Sequence, residues 1–253
     1  MSLSGLKILL AEDNPTNQMV AVQMLESLGA EVTVAIDGAE ALEILLKRVF
    51  DVALIDIEMP RISGIELIRR LRSMHDDVAA MPMIALTAYV MREHRIAIED
   101  AGADGIIAKP ILSIEQFGAD ILGHIRGRRA TTGASTKVNA LAGQGDTSET
   151  VQAAATMDVA VFDGLRSSFS GDSFLELGRR IESDITLARD RIDLAGKTHD
   201  MDEVRAASHI LISVAGVIGA TRLHNLAQCL NSAGHHSDIA EVEAKGSELV
   251  DRK

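Results

Sequence analysis

The sequence predicts two folding units: an α/β doubly wound five-stranded parallel sheet over residues 1–127, and an all-α antiparallel four-helix bundle over 156–253. Three observations predict this. Short apolar segments alternate with helical patterns through the first half. Small and polar residues without a sustained apolar period fill 128–155, which reads as a flexible linker. Beyond it, apolar residues keep helical spacing and strand signal almost vanishes.

In chain order, the expected strands are 7–11 (KILLA), 31–35 (EVTVA), 51–55 (DVALI), 83–86 (MIAL) and 105–108 (GIIA). Four are short apolar runs suited to full burial, whereas the second alternates Val32 and Val34 with polar residues. Helices are expected near 16–28, 39–47, 64–73, 92–101 and 114–126. Strand–helix alternation of this kind builds βαβ units and a parallel sheet, which gathers its strand ends into one crevice. The best-defined junction is DVALIDIEMPRISG over 51–64. There an apolar run delivers Asp56 at its end, Pro60 forces a turn, and Gly64 opens the next helical pattern.

Chemistry collects at these ends. Glu12, Asp13 and Asn14 follow the first strand and Asp56 the third, while the fourth ends in Thr87 and the fifth in Lys109-Pro110. Carboxylates crowded this way cannot all stay ionised without a cation, so a hard divalent ion is implied. Mg²⁺ suits best, since it accepts one or two carboxylates and is completed by water and phosphoryl oxygens. Thr87 and Lys109 then offer a donor and a cation to the remaining phosphoryl oxygens. The chemistry these residues describe is phosphoryl transfer to a carboxylate.

Composition narrows the function classes. The net charge of −12 is shared by both halves, and without a basic stripe the chain is not expected to bind nucleic acid. One cysteine excludes an internal disulfide framework and suits a cytoplasmic location. No apolar run approaches membrane-spanning length, so no membrane contact by this segment is expected. No Gly-rich loop stands beside a nucleotide site, so an ATP-binding kinase core is not expected either.

In the second half, helical spacing runs through Phe162, Leu165 and Phe169, then from Phe174 to Leu194, with Gly196 expected to stop that helix. A third helix is expected from about 201 to 215, punctuated by Gly216 and Gly219. A fourth carries Leu223, Leu226 and Leu230, and a fifth spans 239–249. Among eight histidines, His235-His236 fall in a turn with no partner at metal-ligand spacing. His209 stands out by its surroundings, ASHILISVAGVIGA.

The first-half motifs resemble the receiver domain of two-component signalling, over about 5–127. They are Glu12-Asp13, DIEMPRISG with Asp56, LTA with Thr87, and Lys109-Pro110. The resemblance implies a flavodoxin-like fold, with Asp56 as phosphoacceptor and Asp13 as a direct Mg²⁺ ligand. Glu12 would act through water, Glu58 through its backbone carbonyl, and Thr87 and Lys109 would bind the acyl phosphate. Where such receivers often carry Tyr or Phe, this chain has Ile106, which puts aromatic switching in doubt. Glu58 and Tyr89 occupy the two positions that tune phosphate lifetime in the family.

The second half resembles the histidine phosphotransfer domain, whose core reads roughly His-x-Leu-Lys-Gly. His209, Leu211 and Gly219-Ala220 match, whereas Ile212 and Ser213 replace the Lys and Gly. Both are expected to share a face with His209 one turn away. The implied function is a phosphorelay module similar to the C-terminal part of a hybrid sensor kinase, with a free-standing relay protein as alternative. Phosphate would reach Asp56 from an upstream histidine kinase and pass to His209, then to a downstream response regulator. The competing reading makes the bundle a docking or dimerisation element. A phosphatase reading is weaker, because Asp56-Ile57-Glu58 lacks a second aspartate.

Overall fold

The computed structural model describes residues 2–74, 77–88, 92–111, 113–131 and 156–250. Its first unit contains strands β1 (Lys7–Ala11), β2 (Glu31–Ala35), β3 (Val52–Asp56), β4 (Met83–Thr87) and β5 (Gly105–Ala108). All pair in parallel in the order β2-β1-β3-β4-β5. Helices α1 (Pro15–Ser27), α2 (Gly38–Lys47), α3 (Gly64–Arg72), α5 (Arg92–Asp100) and α6 (Ile114–Thr131) connect them. A four-residue α4 (Asp77–Ala80) was not expected from the sequence. Helix α6 also carries four residues into the segment read as linker; the rest of that segment, 132–155, lies outside the described residues.

Strand alternation divides the core. Ile8, Leu10, Val52, Leu54, Ile84 and Leu86 face the layer of α1 and α6, while Leu9, Ala11, Ala53, Ile55, Met83 and Ala85 face α2, α3 and α5. Both faces are therefore dry, as the continuous apolar runs require. Strand β1 pairs with β2 on one side and β3 on the other, so the chain reverses direction of travel between β1 and β3. The crevice at that switch point is where open α/β sheets hold ligands. Asp56 is the last residue of β3 rather than the first beyond it, and Thr87 ends β4.

Local chemistry fixes the entry to each helix. The Asn14 side chain accepts from the Asn17 amide at 2.9 Å and caps α1, and Ser63 caps α3 through the Glu66 amide at 3.3 Å. Gly64 is required by close approach, since a Cβ there would stand 2.1 Å from the carbonyl oxygen of Asp56.

The second unit comprises α7 (Val159–Ser168), α8 (Gly171–Thr198), α9 (Met201–Val217), α10 (Thr221–His236) and α11 (Ile239–Val250). The long helices α8–α11 form the bundle around Ala188, Ile192, Leu211, Ile212, Ala227 and Leu230. Gly196 does not stop α8. The helix runs through it to Thr198 and ends at His199, which adopts φ 57° and returns its amide to Ala195 and Gly196. No close approach requires the glycine there, since a Cβ at Gly196 would meet Val242 of α11 at an ordinary 3.9 Å. No helix among the described residues is long and apolar enough to cross a membrane.

The two units share a core. Leu165, Phe169 and Leu177 join the apolar cluster under β1 and β3, with Val217 and Ile218 packed against it. Asp184 of α8 accepts from Thr16 Oγ1 at 2.6 Å and from Asn14 Nδ2 at 3.3 Å, at the start of α1. Gly216 of α9 faces Pro110 so closely that a Cβ would stand 2.6 Å from the proline ring.

Two substitutions test these close approaches. Gly64→Ala should lower stability by about 1–3 kcal/mol, the usual cost of overpacking, read by urea unfolding. Gly216→Val should lift α9 from Pro110 while leaving the sheet intact. Faster hydrogen exchange confined to α1 and α9 is the expected signature; unchanged exchange would mean that Pro110 yields.

Candidate functional site

The site is built from the carboxyl ends of three strands. Glu12 follows β1, Asp56 ends β3, and Lys109 follows β5, and all three are buried. Lys109 Nζ donates to Glu12 Oε2 at 2.6 Å and to Asp56 Oδ2 at 2.7 Å, so one ammonium bridges two carboxylates. Asn17 of α1 donates from Nδ2 to Glu12 Oε1 at 2.9 Å, and the Glu58 amide donates to Asp56 Oδ1 at 3.3 Å. Thr87 is buried at the end of β4, where its carbonyl accepts from the Lys109 amide at 2.8 Å. That bond sets the height of the Lys109 side chain above the crevice.

Electrostatics follow from this crowding. Burial pushes the Glu12 carboxyl above its ordinary range, partly offset by Lys109, with Asp56 adding to the rise. Burial also raises Asp13, and its neighbour Glu12 raises it further. Burial alone would lower Lys109, but the charges of Asp56 and Glu12 outweigh it and hold the ammonium protonated.

Helix α9 closes the opposite side. His209 lines a cavity of about 400 Å³ together with Asp13, Asn14, Glu58, Arg191 and Ser213. Its Nδ1 stands 2.5 Å from Glu58 Oε2, and the approach is too oblique for a well-directed hydrogen bond. Burial disfavours a charged imidazole here, yet the Glu58 contact and the field of Asp56 raise the His209 pKa. Conversely, burial would raise Glu58, but the His209 contact holds its carboxyl below the usual range. Ser213 and Val217 reach a second crevice beside Glu12, Lys109 and Pro110. Ile212 does not share the His209 face as expected; it is buried in the bundle core with Ile192, Leu211 and Leu230. Its position three residues on carries it around the helix, whereas Ser213 at four stays on the His209 side.

The family model for the response regulator receiver domain matches residues 8–121. Residues 8–121 are a receiver domain. The chain is also similar to the Sensory/regulatory protein RpfC of Xanthomonas campestris pv. campestris, 28% identical over 242 residues, covering 94% of this chain and 31% of that protein. Similarity to the Aerobic respiration control sensor protein ArcB of Escherichia coli K12 is 36% over 111 residues, covering 44% of this chain and 14% of that protein. The chain thus spans less than a third of the length of either relative. Among solved structures, the receiver domain of sensor histidine kinase PA1611 from Pseudomonas aeruginosa PAO1, with a magnesium ion coordinated in its active site cleft, is 33% identical. That match has a TM-score of 0.45 and covers 49% of this chain and 99% of that one.

The receiver residues fit a hard divalent cation. Glu12, Asp13 and Asp56 each offer a carboxylate oxygen within 4.8 Å of the others. Three carboxylates face one ammonium, so a dication balances what Lys109 leaves over. Of the residues expected to form the site, the structure gathers Glu12, Asp13, Asp56, Glu58, Thr87, Lys109 and His209 into one region. Tyr89 lies outside the described residues, and Ile106 sits opposite Ala85 in the sheet. Sequence reasoning missed the Glu58 carboxylate's contact with His209, and missed Asp184 and Arg191 entirely.

Replacing the bridging cation should expose its role. Lys109→Met leaves Glu12 and Asp56 buried without compensation, and about 3–5 kcal/mol of stability should be lost near neutral pH. Urea unfolding measures this, and Mg²⁺ should restore part of the loss. Equal stability with and without Lys109 would show that the two carboxyls are already protonated.

Proposed function

We propose that this chain is a phosphorelay module in which Asp56 of the receiver domain accepts a phosphoryl group and His209 of the bundle exchanges it. The observation that carries this reading is the placement of His209 in the same cavity as Asp13 and Glu58, beside the Lys109-bridged acids. A histidine that served only for packing would not need to line a cavity with Asp13 and Glu58. The bundle reads as a histidine phosphotransfer-like domain, and residues 132–155 as its tether.

Asp56 is the nucleophile toward an incoming phosphohistidine from an upstream kinase. Mg²⁺, held by Asp13 and Asp56 with Glu12 acting through water and the Glu58 carbonyl completing the set, would neutralise charge on the phosphoryl oxygens. Lys109, freed from part of its pairing with Asp56 once that carboxylate is phosphorylated, turns its charge to the phosphoryl group. Thr87 supplies a hydroxyl donor from the neighbouring strand. Both side chains are held by strand ends in a buried crevice, so their alignment costs little at the moment of transfer. The similarity to RpfC and ArcB supports a place within hybrid sensor proteins, with a separate response regulator as onward acceptor.

Incubation with Mg²⁺ and acetyl phosphate, followed by intact mass and site mapping, tests the relay. Native protein should carry alkali-labile phosphate on Asp56 and acid-labile, alkali-stable phosphate on His209. Asp56→Ala should lose both, and His209→Ala only the second. Phosphate confined to Asp56 would leave the bundle a docking element, and none on Asp56 would overturn the proposal.

A further inference from the structure

We infer that Glu58 of the receiver domain is a positioning residue for His209: its carboxylate selects the imidazole tautomer that presents Nε2 to the phosphoryl group on Asp56. This rests on the relay proposed above and assigns the Glu58 side chain a task separate from its backbone carbonyl.

Geometry carries the inference. Nδ1 of His209 is buried and stands 2.5 Å from Glu58 Oε2. A carboxylate offers no hydrogen, so its close approach favours a proton on Nδ1 by charge, although the geometry falls short of a directed hydrogen bond. In a neutral imidazole this leaves the lone pair on Nε2, at the opposite edge of the ring. Glu58 is placed for this by Asp56 itself, since the Glu58 amide donates to Asp56 Oδ1 at 3.3 Å. The residue that orients the acceptor histidine is thus pinned to the carboxyl that bears the phosphate. His209 is only 12% exposed at its side chain, so few other rotamers compete.

The transfer step balances without any further reactant. The Nε2 lone pair attacks phosphorus, the bond from phosphorus to the Asp56 oxygen breaks, and Asp56 leaves as a carboxylate. The proton on Nδ1 stays, so the neutral ring becomes a phosphorylated imidazolium. Glu58 faces the nitrogen on which that positive charge appears, and its attraction is stronger in the transition state than before it. Arranged as base, ring and orienting carboxylate, the pair follows the logic by which an acid fixes a catalytic histidine in nucleophilic enzymes. The bundle's missing cation at Ile212 is not replaced by this; Glu58 acts on the ring and not on the phosphoryl oxygens.

The test follows phosphate from Asp56 to His209 in the full chain after loading with acetyl phosphate and Mg²⁺. Transfer is scored per molecule phosphorylated on Asp56, so that any change in loading cancels. Glu58→Ala should slow transfer by about 100-fold, the lower end of the range for loss of a positioned acid–base group. Glu58→Gln keeps an acceptor oxygen without the charge and should fall between Glu58→Ala and native. In parallel, ¹⁵N spectra of the imidazole should show a protonated Nδ1 in the native chain, retained in Glu58→Gln and lost in Glu58→Ala. A purely packing role for Glu58 would not move that tautomer. Native transfer in Glu58→Ala, or an Nε2-protonated ring in the native chain, would overturn the inference while leaving the relay standing. Failure of the native chain to form phosphohistidine would overturn the relay itself, and this inference with it.

Discussion

The Lys109 ammonium between Glu12 and Asp56 is the interaction on which the rest of the arrangement depends. Bringing two buried carboxylates to the ends of adjacent strands is prohibitively repulsive unless a cation stands between them. Parallel pairing places β1, β3 and β5 so that a lysine one residue past β5 reaches both acids at 2.6 and 2.7 Å. Its backbone is registered to the sheet by the bond from its amide to the Thr87 carbonyl. Sheet topology, charge balance and reactivity are therefore one constraint: the same ammonium that permits the fold is the group available to a phosphoryl oxygen once Asp56 is phosphorylated.

Much of this was legible in the sequence because the governing signals are local. Runs such as VALI and MIAL announce buried strands by length and β-branching, and Pro60 and Gly64 mark where the chain must turn. Parallel topology then forces the residues after each run into a common crevice, so Glu12, Asp56, Thr87 and Lys109 could be placed together without coordinates. The errors have local causes too. Gly196 was read as a helix stop, yet a glycine costs a long helix only about 1 kcal/mol, and the packing of α8 against α11 outweighs it.

What the sequence concealed is the encounter between the units. The contact of Glu58 with His209 joins residues from distant parts of the chain, and no periodicity encodes it. The same holds for Asp184 at the start of α1, which reads in isolation as one more charge on an amphipathic helix. Gly216 is instructive. The resembled core carries its glycine four residues after the histidine, where Ser213 stands. The glycine that lets α9 approach is instead at 216, one turn further along the same face, where it meets Pro110. Residues 209, 213 and 216 follow the spacing of a single helical stripe, so the face turned to the receiver domain keeps a small residue, shifted by one turn.

This docking has a consequence for the order of events in the proposed relay. Asp56 is wholly buried, with Ser213 and Val217 of α9 against the crevice of Lys109 and His209 against that of Glu58. An upstream phosphohistidine needs the same line of approach to Asp56 that His209 occupies, because in-line transfer admits one nucleophile or leaving group at a time. Donor and acceptor histidines therefore exclude each other, and the bundle must swing away for loading and return for transfer. The apolar part of the interface, around Leu165, Phe169 and Leu177, lies on the α1 side of the sheet, apart from the charged crevice. Separation of the two leaves the acids and Lys109 paired within the receiver domain, so opening exposes a preassembled site and not a collapsed one.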